Sequence, residues 1–251
     1  MTIEAIKEKE AVGTIANLFK EFKIGRLLNL ANINRTNGAS PLELFSIIFN
    51  LCFLGKNLFE GVIRNKRITL NKRHVYGFLN NPFYNWRKLL FLLSTRIYLA
   101  FRDLSSDPDE EVLIADDSIY DRNRSKWVEL LAKVFDHNSN EFIKGFRTLT
   151  LGWTDGNSFL GLDFALLSSP KVENRYCEAN TQIDQRSCGG IRRKEAMQKA
   201  TTLLPIMVKR ALTLTRVRAK RLLLDSWFSF PAVTFKEVNN PVVAFEVVSC
   251  P

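Results

Sequence analysis

Two short apolar runs in the second half of the chain each end on an aspartate. Val112-Leu113-Ile114-Ala115 leads into Asp116-Asp117-Ser118, and Arg221-Leu222-Leu223-Leu224 leads into Asp225. Short apolar runs of this kind read as buried strands. A strand that ends on Asp sets a polar group at the carboxyl edge of a sheet. There α/β folds place ligand groups, because the strand is rigid and the following loop is open to solvent.

The first 105 residues carry a different pattern. Ile3, Ile6, Ile15, Leu18, Phe19 and Phe22 recur at helical spacing. Ser40 followed by Pro41 and Glu43 predicts an N-cap with proline in the first turn, which makes residues 41–54 a buried helix. Gly55 to Arg73 reads as a basic loop-and-helix region, Asn80-Asn81-Pro82 as a break, and Trp86 to Phe101 as an amphipathic helix. The polar segment 105–111 (SSDPDEE) reads as a linker, dividing the chain into a helical region, 1–105, and a second domain, 106–251.

Beyond the linker, Trp127 to Phe135 suits a short helix and Lys144 to Leu151 alternates like a strand. Thr154-Asp155-Gly156-Asn157 is a hairpin-type turn, and Phe159 to Leu167 is the returning strand. Residues 168–194 read as a loop, Lys194 to Val217 as a helix bent at Pro205, Phe230 to Val238 as a short helix, and Val242 to Val248 as a final strand. The expected order after residue 112 is β-β-β-α-β-α-β, with the short helix inserted after the first strand.

Charge is distributed unevenly. The 251 residues carry a net charge of +10, and residues 1–105, 106–170 and 171–251 contribute +9, −6 and +7. A basic protein is drawn to polyanions, although many soluble proteins are basic without binding one. Carboxylates between basic flanks suit a metal-dependent nuclease: cations hold phosphates and carboxylates hold a divalent metal. Other classes are excluded. No apolar run approaches the roughly 18 uncharged residues of a membrane span; the longest, Leu42 to Leu54, contains Glu43 and Asn50. The N-terminal MTIEAIKEKEAVG lacks the apolar core of a signal peptide. Four cysteines without a CxxC pairing and two histidines argue against zinc and for a reduced cytoplasmic setting.

Two-metal phosphoryl chemistry needs acidic oxygens converging on a pair of cations, one activating the nucleophile and one stabilising the leaving oxygen. Asp116 and Asp225 are the candidates. The competing reading of an Asp after a strand is a cap on the next turn.

From residue 112 onward the chain resembles the DDE transposases of bacterial insertion sequences. It resembles the subgroup related to the cut-and-paste family with a Tyr-Arg-Glu-Lys signature. The segments that carry the resemblance are VLIADDSIYDRNRSKWVELLAKVFDH, FIKGFRTLTLGWTDGNSFL and RAKRLLLDSWFSFP. The helical first half resembles the DNA-binding region of such proteins more loosely. The resemblance implies a ribonuclease-H-like mixed sheet after the helical region. The family's Asp-x-Ser/Thr pattern falls on Asp116 and Ser118. Asp117 competes with Asp116, since adjacent strand residues point to opposite faces. The second catalytic aspartate of the family falls on Asp225, and both would bind Mg²⁺ or Mn²⁺.

The family's third carboxylate is a Glu on a helix after the fifth strand. Here that strand is PVVAFEVV; Glu246 lies within it and Glu237 precedes it, so neither takes the role. The resemblance therefore implies a catalytic domain incomplete at its C-terminus, with cleavage impaired. The implied partners are double-stranded DNA, as transposon ends and target, and further copies of the chain assembled on that DNA, in a bacterial cytoplasm close to the nucleoid. A reading of a different class is a non-catalytic DNA-binding fragment, or an inhibitor of a full-length transposase; a third is a decayed reading frame.

Arg192, Arg193, Lys194, Lys209, Arg210, Arg216, Arg218, Lys220 and Arg221 form a basic stripe beside Asp225. It reads equally as phosphate contacts or as a solvated helix face. Arg64, Lys66, Arg67, Lys72 and Arg73 form a second cluster in the helical half, where no helix-turn-helix is legible. Asp136-His137 reads as a helix-end cap ahead of a metal pair. Trp153 and Trp227 read as core residues, with Trp227 close enough to the second strand to stack on a base.

Overall fold

Ser40 lies in extended backbone and its Oγ accepts the Glu43 backbone N–H at 3.1 Å, so a helix starts at Pro41 on the expected cap. The computed structural model describes residues 3–64, 70, 72–102, 111–137, 139–225 and 244–248, with the backbone alone at 3–10, 225 and 244–248. The chain divides into two compact units, Met1–Leu89 and Leu90–Pro251. The expected linker falls mostly on residues 103–110, outside the described ones.

The first unit holds α1 (Ile3–Glu21), α2 (Ile24–Leu30), α3 (Pro41–Phe53), α4 (Lys72–Leu79) and the start of α5 (Trp86–Arg102). A single wide turn of π type covers Phe59–Ile63. Ile24, Leu27, Leu28, Ile33, Leu44, Val75 and Phe78 are buried. The Phe78 ring meets the Trp86 ring edge-on at 5.3 Å, and Phe45 stacks on Trp86 at 6.3 Å. Aromatic pairs of this geometry add to area burial and favour one packing over others.

The second unit holds a six-stranded mixed sheet. Its strands are β1 (Val112–Asp121), β2 (Ala132–Asp136), β3 (Glu141–Thr154), β4 (Phe159–Leu167), β5 (Arg221–Asp225) and β6 (Ala244–Val248). β3 is long enough to hold two neighbours along one edge, β2 on its first part and β4 on the rest. β1 pairs antiparallel to the other edge of β3; β5 pairs parallel to β1, and β6 parallel to β5. Gly145 is needed where β1 and β3 meet. A Cβ there would lie 2.4 Å from the Tyr120 carbonyl oxygen, and backbone cannot step aside as a side-chain tip can.

The core of this unit joins the sheet to helices. Leu113, Ala115, Leu149, Leu151, Trp153, Leu222 and Leu224 pack with Phe91 and Tyr98 of α5. Leu203, Leu204, Met207, Val208 and Ala211 of α7 (Ala200–Leu214) complete it. Their i, i+1, i+4, i+5, i+8 spacing is one apolar helix face. A bulge opens in β4 opposite Leu151 and Gly152. It shifts the alternation by one, so that both Leu162 and Asp163 turn inward.

Several expectations change. Trp127 to Phe135 is no helix. Asp121 Oδ1 accepts the Asn123 N–H at 2.7 Å and the Arg122 carbonyl accepts the Ser125 N–H at 2.8 Å, which turns the chain. The two-residue alternation of Ala132 and Val134, both buried, then makes β2. The loop expected over 168–194 contains most of α6 (Cys188–Ala196), whose N-cap is Ser187 with its Oγ accepting the Gly190 N–H at 3.0 Å. The helix expected over 194–217 is two: α6 ends at Ala196, Lys199 is extended, and α7 follows. The hairpin turn at 154–157, the strand Phe159–Leu167 and the strand beginning at Arg221 stand as expected. The final strand is described over Ala244–Val248, within the expected one, and the short helix expected over 230–238 lies outside the described residues.

Candidate active site on neighbouring strands

Ala115 and Leu224 are the last registered pair between β1 and β5. One step further along both strands come residues 116 and 225, on parallel neighbours about 4.8 Å apart. β1 does not stop at Asp116 but continues to Asp121, held by β3 through Asp116↔Thr150 and Ser118↔Thr148. The aspartate is therefore fixed by its ladder with β3 rather than carried on a loop. Only β5 ends here.

Asp116 and Asp117 have different surroundings. Asp116 is exposed, and its Oδ1 accepts the Asp117 backbone N–H at 2.8 Å. Asp117 is largely buried and its Oδ2 forms an ion pair with the Arg147 guanidinium of β3. Burial pushes the Arg147 guanidinium below its ordinary value. Alternation sets Ser118 on the face of Asp116. Among the described side chains, which do not include that at 225, no three His, Cys, Asp or Glu gather as a metal site.

The basic stripe separates into two kinds of residue. Lys194, Lys209, Arg216, Arg218 and Lys220 are exposed, and Arg221 is half-buried at the start of β5. Arg192 covers the Phe164 ring at 4.5 Å and donates to the Phe164 carbonyl at 2.6 Å. Arg193 is engaged internally, donating Nε and Nη2 to Glu129 at 2.7 and 2.9 Å. That bond holds the Glu129 carboxyl below the ordinary Glu value against the opposing effect of burial. Arg210 is engaged too: its Nε meets Asp163 Oδ2 at 2.9 Å and its Nη1 meets Glu195 Oε1 at 2.9 Å. Neither arginine fits the expected stripe, because both guanidiniums bind carboxylates of the same chain.

Of the other expected features, Asp136-His137 closes a strand rather than a helix. His137 lies edge-on to Phe135 at 4.9 Å and Asp136 Oδ2 accepts the Ser139 hydroxyl. Trp153 is a fully buried core residue as expected. Arg64, Lys72 and Arg73 are exposed, while Lys66, Arg67, Trp227 and Glu237 lie outside the described residues. Glu246 lies in β6 opposite Leu223. The buried triad of Asp163, Glu195 and Arg210 was missed in the sequence, where only an acidic residue between apolar ones in 159–167 hinted at it. No helix among the described residues is long and apolar enough to cross a membrane.

No protein-family model matches the chain, and no curated protein matches it. Among solved structures, the cryo-electron microscopy structure of a piggyBac transposase synaptic complex with hairpin DNA is similar at 15% identity and a TM-score of 0.33. The similarity covers 91% of this chain and 41% of that one, so the chain spans about two fifths of that protein's length.

Proposed function

We propose that the chain is a transposase-type protein that acts on double-stranded DNA by metal-dependent phosphodiester cleavage and strand transfer, through a ribonuclease-H-like sheet. The observation that carries the reading is the parallel register that sets residue 225 beside residue 116. The strand order supports it further: β1, β2 and β4 all pair antiparallel with β3, and two parallel strands, β5 and β6, are added on the far side of β1. The exposure of Asp116, set against the ion pair of Asp117, favours Asp116 as the first carboxylate.

Asp116 and Asp225 would hold Mg²⁺ or Mn²⁺; a hard cation suits carboxylate oxygens on rigid backbone. When bound, the metal supplies an activated water or 3′-hydroxyl for in-line attack on a phosphodiester. Lys194, Lys209, Arg216, Arg218 and Lys220 would take phosphates of the backbone, which position DNA without reading its sequence. With two aspartates and no third carboxylate assigned, the second cation would be loosely held and cleavage slow. A DNA-binding protein without catalysis is the second reading, favoured by the exposed Lys194, Lys209, Arg216, Arg218 and Lys220, which need no metal to hold phosphates.

Nicking of a supercoiled plasmid in Mg²⁺ or Mn²⁺ tests both. Slow nicking is expected, abolished by chelator and reduced to background by Asp116→Asn, while salt-sensitive duplex binding survives the substitution. Nicking that persists in Asp116→Asn overturns the assignment. Binding without any nicking favours the second reading.

A further inference from the structure

The strand that carries Asp116 runs on into a surface of rings and cations. Ser118 and Tyr120 are exposed on the same face, and Tyr120 lies about 13 Å along the strand from Asp116. The Arg122 guanidinium is 4.4 Å from the centre of the Tyr120 ring. The turn that follows carries Arg124, Lys126 and Trp127, and Trp127 stands 91% exposed. This turn is well tied. The Arg122 N–H donates to the Lys144 carbonyl at 2.8 Å, and the Lys144 N–H donates to Asn123 Oδ1 at 2.8 Å. The Cys177 thiol donates to the Lys126 carbonyl at 3.2 Å, which brings in the exposed Tyr176, with Lys144 Nζ 4.7 Å from its ring centre.

A tryptophan held out on a fixed turn exposes apolar area that water disfavours, and a partner that stacks on it relieves that. The charge around it narrows the partner. Arg122 and Lys144 lie against the Tyr120 and Tyr176 rings, and Arg124 and Lys126 flank Trp127 in the turn. The nearby Glu129 carboxylate is already neutralised by Arg193, and among the described residues neither Arg124 nor Lys126 has an ion-pair partner. Aromatic faces interleaved with unpaired cations suit a ligand that alternates flat rings with phosphates. In duplex DNA the base faces are hidden in the stack; only unpaired nucleotides offer them.

We propose that Trp127, with Tyr120, Tyr176 and the cations Arg122, Arg124, Lys126 and Lys144, is a stacking platform for unpaired nucleotides adjoining the Asp116 site. The platform's role at a DNA end rests on the cleavage reading above; the ring-and-cation surface does not.

The test compares binding of the full chain to a blunt duplex and to the same duplex with a single-stranded overhang of about six nucleotides, by fluorescence anisotropy at fixed salt. The overhang should bind more tightly. Trp127→Ala should weaken overhang binding about tenfold and leave blunt binding unchanged, with Trp127→Phe between the two. The exposed position keeps the fold out of the result, and circular dichroism checks that. Equal losses on both DNAs, no loss on either, or no binding of either by the parent chain overturns the proposal. So does a change of oligomeric state in Trp127→Ala with DNA binding untouched, which would make the tryptophan a protein contact. A chain that prefers the overhang yet nicks nothing removes the cleavage reading and leaves the platform standing.

Discussion

Arg210→Met is expected to cost about 3–5 kcal/mol of folding stability, measured by urea denaturation, the range for breaking one side of a buried ion network. Asp163 has a side chain fully shielded from water, and Glu195 is nearly so. Arg210 is their shared cation, donating to both. Methionine keeps much of the unbranched stem and removes the guanidinium, so the variant takes from two desolvated carboxylates the cation they share. Replacing the whole triad (Asp163→Leu, Glu195→Leu and Arg210→Met together) should recover most of the loss, because apolar residues of similar size carry no desolvation penalty. A loss under about 1 kcal/mol for Arg210→Met would mean that water reaches Asp163.

Trp153→Ala is expected to destabilise by a similar amount, about 3–5 kcal/mol, through the cavity left behind. Its neighbours make the effect specific. Trp153 lies edge-on to Tyr98 at 5.2 Å. Its indole N–H and the Tyr98 hydroxyl both donate to Glu111 Oε2, at 3.3 and 3.0 Å, and Glu111 is buried. Burial first, and the Glu111 carboxylate second, push the Tyr98 phenol above its ordinary value, while the Arg218 backbone and charge pull the other way. A raised value means that the folded chain holds this proton more tightly than the unfolded one. The stability it contributes is whole below about pH 10 and is lost as pH rises through the raised value. Tyr98→Phe should remove that alkaline fall in the thermal midpoint; an unchanged slope would assign it to another group.

What could be read from the sequence followed from periodicity and caps. Ser40-Pro41, the hairpin turn at 154–157 and the alternation of 159–167 each carry a local signal strong enough to survive tertiary packing. The Trp127–Phe135 segment misled because WVELLAKVF has apolar residues at helical spacing, while the partner edge of β3 that makes Ala132–Asp136 a strand lies in a later part of the chain. The β4 bulge was hidden for a similar reason. Leu160 and Leu162 obey one phase of alternation, Ala165 and Leu167 the other, and only pairing reveals where the phase slips. At the candidate site the sequence supplied two aspartates at strand ends. It could not show that one lies within a strand, nor that Asp117 has Arg147 as its partner. Arg193 and Arg210 read as surface charge because carboxylates distant in sequence, at positions 129, 163 and 195, claim them in the fold.

The parallel pairing of β1 with β5 has a kinetic consequence. β2, β3 and β4 follow one another closely, so their antiparallel ladders close short loops. Val112 and Arg221 are more than a hundred residues apart in sequence, and their pairing must wait for α6 and α7 to be laid down. Loop-closure entropy makes such a pairing slow relative to hairpins. The two aspartates should therefore meet late in folding, after the hairpin has formed; pulse-labelled amide exchange should protect β3 before β5, and simultaneous protection would count against this order. A nascent chain would carry Asp116 on a formed strand for some time before a second carboxylate arrives. On the proposed reading of the site, cleavage would then switch on only when folding is nearly complete.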